Sequence, residues 1–94
     1  MINFNVTGFL TEFTDGRHQV AIDASPQTVA EALAELWRVH TGLRDRVLNE
    51  RGEIRLHVNI FVNDENIRRQ QALDTSLKSG DEITILPSVS GGVK

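Results

Sequence analysis

The sequence predicts an α+β domain, one sheet with a single helix packed across it. Period-two alternation of apolar and polar residues recurs near the N-terminus and again in the C-terminal half. Between these stretches lies one segment whose apolar residues repeat at helical spacing behind a capping signal. The order strand, strand, helix, strand, strand segregates the elements, where a parallel α/β sheet would alternate them.

Ile2, Phe4 and Val6 alternate with Asn3, Asn5 and Thr7, as in a half-buried strand. Thr14, Asp15 and Gly16 read as a turn, after which His18, Val20 and Ile22 resume the alternation with Gln19 and Ala21 opposite. A first hairpin with a long connection follows.

The helix is read over 28–40. Thr28 followed by Glu31 fits a capping box, and Val29, Ala32, Leu33, Leu36, Trp37 and Val39 make its apolar face. Gly42 is expected to stop it in the left-handed conformation. His40, in the last turn, suits the helix dipole better than a metal. In the charged stretch 43–55, Leu43, Val47 and Leu48 form one anchoring turn.

Leu56, Val58, Ile60 and Val62 then take one face of a strand, with His57, Asn59, Phe61 and Asn63 on the other. Asn63-Asp64-Glu65-Asn66 is turn chemistry leading to a short strand at Ile67. Leu73 and Leu77 anchor a further turn. Ser79-Gly80-Asp81 turns into the last strand, where Ile83 and Ile85 point inward and Thr84 and Leu86 outward.

Ninety-four residues, 39% of them hydrophobic, fit one small domain with no second core. A net charge of -3 argues against a nucleic-acid binder. Six arginines cluster (Arg44, Arg46, Arg51, Arg55, Arg68, Arg69), but interspersed acids make a solvated rim the plainer reading. No apolar run approaches a membrane span, and the start lacks a signal peptide, so a cytoplasmic address is expected. The chain has no cysteine, which removes disulfides, thiolate metal sites and thiol nucleophiles.

Catalytic constellations are missing too. The three histidines have no ligand spacing, so no metal site is expected. Asp64-Glu65 and Asp81-Glu82 sit in turns, Ser88 and Ser90 lack a nucleophile elbow, and no glycine-rich phosphate loop occurs. The chain reads as something other than an enzyme, with no cofactor of its own.

Two features exceed what folding requires. Phe61 and Leu86 fall on the sheet face away from the helix, as a contact patch would; partial cover by the 43–55 loop is the alternative. Gly91 and Gly92 follow the last strand by about five residues. As a bare dipeptide they signal only a loose end.

Taken together, the capped helix, HVNIFVNDENIR at 57–68, LKSGDEITILP at 77–87 and the SGG tail resemble the β-grasp sulfur carriers of the ThiS and MoaD family. These share their fold with ubiquitin, and the two quoted strand segments look most similar to the CysO type, which serves cysteine biosynthesis. The resemblance implies a β-grasp domain over 1–87 and a flexible tail over 88–94.

It also implies that the Gly92 carboxylate is adenylated by an E1-like enzyme using ATP, then converted to a thiocarboxylate for a sulfur-accepting synthase. Gly91 would be a permissive spacer, and Phe61 and Leu86 the partner-docking residues. Here the sequence departs from the family pattern, because Val93 and Lys94 follow the glycines. A JAMM-type zinc metalloprotease is expected to trim them. The acceptor, whether a serine or homoserine derivative or one in thiamine, molybdopterin or thio-siderophore synthesis, stays open. So do a ubiquitin-like modifier and a plain β-grasp interaction module.

Overall fold

A computed structural model describes residues 1–87 of the chain. Five strands form one mixed sheet: β1 (Ile2–Val6), β2 (Gln19–Ile22), β3 (Val58–Val62), β4 (Glu65–Asn66) and β5 (Glu82–Pro87), in spatial order β2-β1-β5-β3-β4. The hairpin β1–β2 is antiparallel, with Phe4 opposite Val20. β5 enters between the hairpins, parallel to β1 and antiparallel to β3. The last strand therefore lies at the centre of the sheet.

One helix, α1 (Val29–Val39), supplies Val29, Ala32, Leu33 and Leu36 to the core. They join Phe4, Val6, Val58, Ile60, Ile83 and Ile85, each at most 1% exposed. Thr28 caps the helix as expected, its Oγ1 accepting from the Glu31 N–H at 3.2 Å. Glu31 Oε1 accepts from the Gln27 N–H at 3.0 Å, one residue before the amide that the capping box names. Leu43, Val47 and Leu48 are buried, on and beside the short helix α2 (Arg44–Val47). Arg46 lies over the Phe13 ring, 4.9 Å from its centroid, while its side chain stays exposed, as the solvated-rim reading expects.

Four sequence expectations need correction. Val39 is 57% exposed: it is the last residue of the helix, about one turn beyond the buried Leu36. Gly42 is absent from the positive-φ residues; the helix ends at His40, whose N–H donates to Leu36 O at 2.9 Å. Leu56 lies outside β3 and is 95% exposed. There the Val58 N–H donates to Arg55 O at 3.0 Å, closing a turn that throws Leu56 outward before the strand begins. Ile67 is buried but opens a 3-10 turn, and the short strand is Glu65–Asn66 instead. The β1–β2 connection also contains a 3-10 helix, Gly8–Phe13, for which the sequence carried no periodic signal.

Candidate functional site

The helix covers one face of the sheet, and strand register decides what the other face presents. In β3 and β5, Val58, Ile60, Val62, Ile83 and Ile85 point to the core, so Asn59, Phe61, Thr84 and Leu86 point away from it. Phe61 pairs with Thr84 on one side and Asn66 on the other, while Asn59 pairs with Leu86. Phe61 and Leu86 are thus diagonal neighbours on adjacent strands, close enough for both to meet one partner surface. Phe61 is half-buried and Leu86 is 42% exposed. The outward phase expected of both residues holds.

Their surroundings are polar and ordered. Toward β1, Asn5 Nδ2 donates to Thr84 Oγ1 at 3.3 Å. Beyond Phe61, a concavity is walled by Asp64, Glu65, Asn66 and Arg69, giving the aromatic ring a charged rim. Beside Leu86, Asn59 Oδ1 accepts from Arg68 Nη1 at 2.8 Å and Asn66 Nδ2 at 3.2 Å. Arg68 Nη2 reaches Arg55 O at 2.9 Å, so one guanidinium ties β3 to the turn before it. Two apolar side chains in a fixed polar frame can recognise a partner of complementary shape. They can do little chemistry themselves. Among the described residues no group of three or more His, Asp or Glu side chains is placed to hold a metal ion.

The root of the tail is braced from the first hairpin. The Thr7 N–H and Oγ1–H both reach Ile85 O, at 3.3 and 3.1 Å. Gly8 follows with φ +63°, and a Cβ there would come within 3.0 Å of Pro87 Cγ. Glycine is needed at this position twice over, for its dihedral and for the proline it touches. Leu86 and Pro87, which pair with Asn59 and Val58 at the end of β5, are therefore held from the first hairpin as well. Sequence reading missed Gly8 because its partner lies at the other end of the chain. It treated Arg68 as rim because nothing local announces Asn59 as its acceptor. Gly91, Gly92, Val93 and Lys94 lie outside the described residues.

Comparison with known proteins agrees with this geometry. The sequence pattern of the ThiS family matches residues 5–92. The sulfur carrier protein CysO of Mycobacterium tuberculosis is 33% identical over 93 residues, covering 97% of this chain and 98% of its own. Small archaeal modifier protein 1 of Haloferax volcanii is 36% identical over 78 residues, covering 82% of this chain and 85% of its own. The crystal structure of the BexX/CysO complex of Amycolatopsis orientalis superposes with a TM-score of 0.87 at 32% identity, covering 98% of this chain and all of that one. No helix among the described residues is long and apolar enough to cross a membrane. With its mixed five-stranded ubiquitin-like sheet, its single long helix and a family match over nearly its whole length, this chain belongs to the ThiS family.

Proposed function

We propose that this protein is a sulfur carrier whose active atom is the carbonyl carbon of Gly92. An E1-like enzyme uses ATP to adenylate the Gly92 carboxylate, and sulfide displaces AMP to leave a thiocarboxylate. A sulfur-accepting synthase then takes the sulfur onto an activated serine or homoserine derivative, in the cytoplasm. The observation that carries this reading is the adjacency of the outer apolar pair to the tail root: Leu86 belongs to the pair and precedes Pro87, the last described residue. A partner that grips Phe61 and Leu86 has the tail at hand.

A carboxylate is a poor electrophile until its oxygen becomes a leaving group, which AMP supplies. Glycines let the chain pass through a narrow site with its backbone close to the nucleotide. Gly92 is joined to Val93 by a peptide bond, so a protease of the JAMM type must first release its carboxylate. The family match supports that boundary, since it stops at residue 92 and leaves Val93 and Lys94 outside.

Intact mass spectrometry after incubation with the cognate activating enzyme, ATP and sulfide tests the proposal. A chain ending at Gly92 should gain the thiocarboxylate, and the chain carrying Val93 and Lys94 should stay unchanged. Equal adenylation of the untrimmed chain, at Lys94, would remove Gly92 from the reading. A second reading, a modifier joined to other proteins through Gly92, draws on the similarity to small archaeal modifier protein 1. Adducts from native cells that resist both denaturant and thiols would favour it.

A further inference from the structure

The sheet ends in two edges of different character. At one, β4 is two residues long and carries Glu65, and Arg68 bonds Asn59 of the neighbouring strand. Shortness and charge of that kind keep an edge from pairing with another chain. At the other edge lies β2, whose one neighbour in the sheet is β1. Its residues, Gln19 to Ile22, include no charge and no proline.

The phase of the β1–β2 ladder decides what this edge offers. The Val6 N–H donates to His18 O at 2.8 Å, and bonded pairs alternate with non-bonded ones along an antiparallel ladder. Phe4–Val20 and Ile2–Ile22 are therefore the bonded pairs, while Asn5–Gln19 and Asn3–Ala21 are not. The N–H and C=O groups of Gln19 and Ala21 thus point away from β1, to the open side. Among the described residues, no turn, loop or side chain takes them up.

Arg17 and Asp23 flank the strand, and both are exposed. Neither joins an ion pair found among the described residues, Glu35–Arg38 or Arg44–Asp45. Extended chain holds them roughly 20 Å apart, too far to meet within one molecule. Their spacing is symmetric about Val20, as is that of Gln19 and Ala21. An antiparallel strand of the same sequence, centred on Val20, sets Gln19 opposite Ala21 and Arg17 opposite Asp23. Sliding it by two residues keeps the hydrogen-bond phase but sets Arg17 opposite Ala21 or Ser25, leaving the charges unpaired.

We infer that the β2 edge is a self-association surface, and that its occupant is β2 of a second copy across a two-fold axis at Val20. Gln19 and Ala21 exchange N–H···O bonds with Ala21 and Gln19 of that copy. Two Arg17–Asp23 pairs bracket these bonds, since a two-fold interface makes every off-axis contact twice. Val20 meets its own copy on the helix side of the sheet, a β-branched cross-strand pair. Leu86 and Phe61 lie two and three strands away, so the outer face stays open and the inference is independent of the reading of Gly92. A four-residue strand makes a small interface, so the association is weak and concentration-dependent.

A dilution series from millimolar to micromolar protein, read by amide resonances and tumbling time, tests this on the full chain. The Gln19 and Ala21 amides should shift with concentration, and the tumbling time should rise toward that of a dimer. R17D or D23R alone sets like charges opposite each other at both ends, and should weaken association by roughly tenfold or more. Mixing the two variants should restore it, because each end of the mixed pair then carries one charge of each sign. A defect of folding in either variant would persist in the mixture. A21P removes an outward N–H, so it should keep the parent's melt and lose association. Amides that ignore concentration, absence of rescue on mixing, or an unfolded A21P would each overturn the inference. Edge amides that shift only on titrating the activating enzyme would assign the edge to that partner and overturn self-pairing.

Discussion

The two faces of β3 and β5 are made by the same ten or so residues and obey different rules. Inward, Val58, Ile60, Ile83 and Ile85 are at most 1% exposed, and every one is aliphatic and β-branched. Outward, Asn59, Phe61, Thr84 and Leu86 mix amide, aromatic, hydroxyl and aliphatic groups, all with some solvent access. The inner face is explained by burial alone, since each aliphatic side chain removed from water stabilises the fold by roughly 1.5–3 kcal/mol. The outer face has no such explanation. Phe61 and Leu86 stay where folding leaves them partly wet, which is why a partner is the natural account of them.

The sharpest way to break this contrast is a pair of truncations on neighbouring strands. Ile60→Ala should cost about 2–5 kcal/mol, through lost transfer energy and the cavity left in the core. Leu86→Ala should stay within about 0.5 kcal/mol, as surface changes do. Urea denaturation of both variants measures the difference. Similar midpoints would mean that the two faces are equally buried in solution.

Phe61→Asp probes function where Ile60 probes folding. The variant should keep the parent's unfolding midpoint to within a small shift, yet lose about 2 kcal/mol of affinity for the activating enzyme, roughly thirtyfold. Calorimetric titration of the enzyme with each protein reads the loss. A variant that unfolds would make Phe61 a core residue, and unchanged affinity would take it off the docking face.

How far the sequence could be read follows from the same contrast. Period-two and helical patterns register burial, so the inner faces of β1, β3, β5 and α1 were all legible, as was the Thr28 cap. Patterns do not register where an element stops. Leu56 is in phase with Val58 and Ile60 but sits in the Arg55–Val58 turn, and Val39 keeps the helical spacing but is the exposed last residue of the helix. Long-range partners left no trace either. Thr7 and Gly8 hold Ile85 and Pro87 from the other end of the chain, and the parallel β1–β5 pairing that brings them together has no local signature. The outward phase of Phe61 and Leu86 was legible in the alternation; the polar frame around them, built by Asn59 and Arg68, was not.

Gly8→Ala sharpens the comparison at the edge between the faces. A left-handed alanine costs about 1–2 kcal/mol, and its Cβ would press on Pro87. A melt should register that loss. If the proposed function holds and Pro87 helps present Gly92, activation by the E1-like enzyme should fall further than stability does. If activation tracks the folded fraction alone, the brace serves the fold and has no part in presenting Gly92.

The smallest effect is expected at Arg68, where the outer face is held in shape without being buried. Its two terminal nitrogens reach different acceptors, Asn59 Oδ1 and Arg55 O, a span that one compact ammonium cannot bridge. Arg68→Lys keeps the charge and should lose one of the two hydrogen bonds. At an exposed site that is worth about 0.5–1 kcal/mol of stability. Asn59 still receives the Asn66 Nδ2 bond, so β3 should keep its register, and the amide resonances of Phe61 and Leu86 should barely move. The resonances of Arg55 to Val58 should shift, since the turn loses its tie. A loss above about 2 kcal/mol would mean that the bridge is buried in solution and carries fold stability. The polar frame would then belong with the inner face, and Phe61 and Leu86 would remain as the only residues of the outer face that folding leaves unexplained.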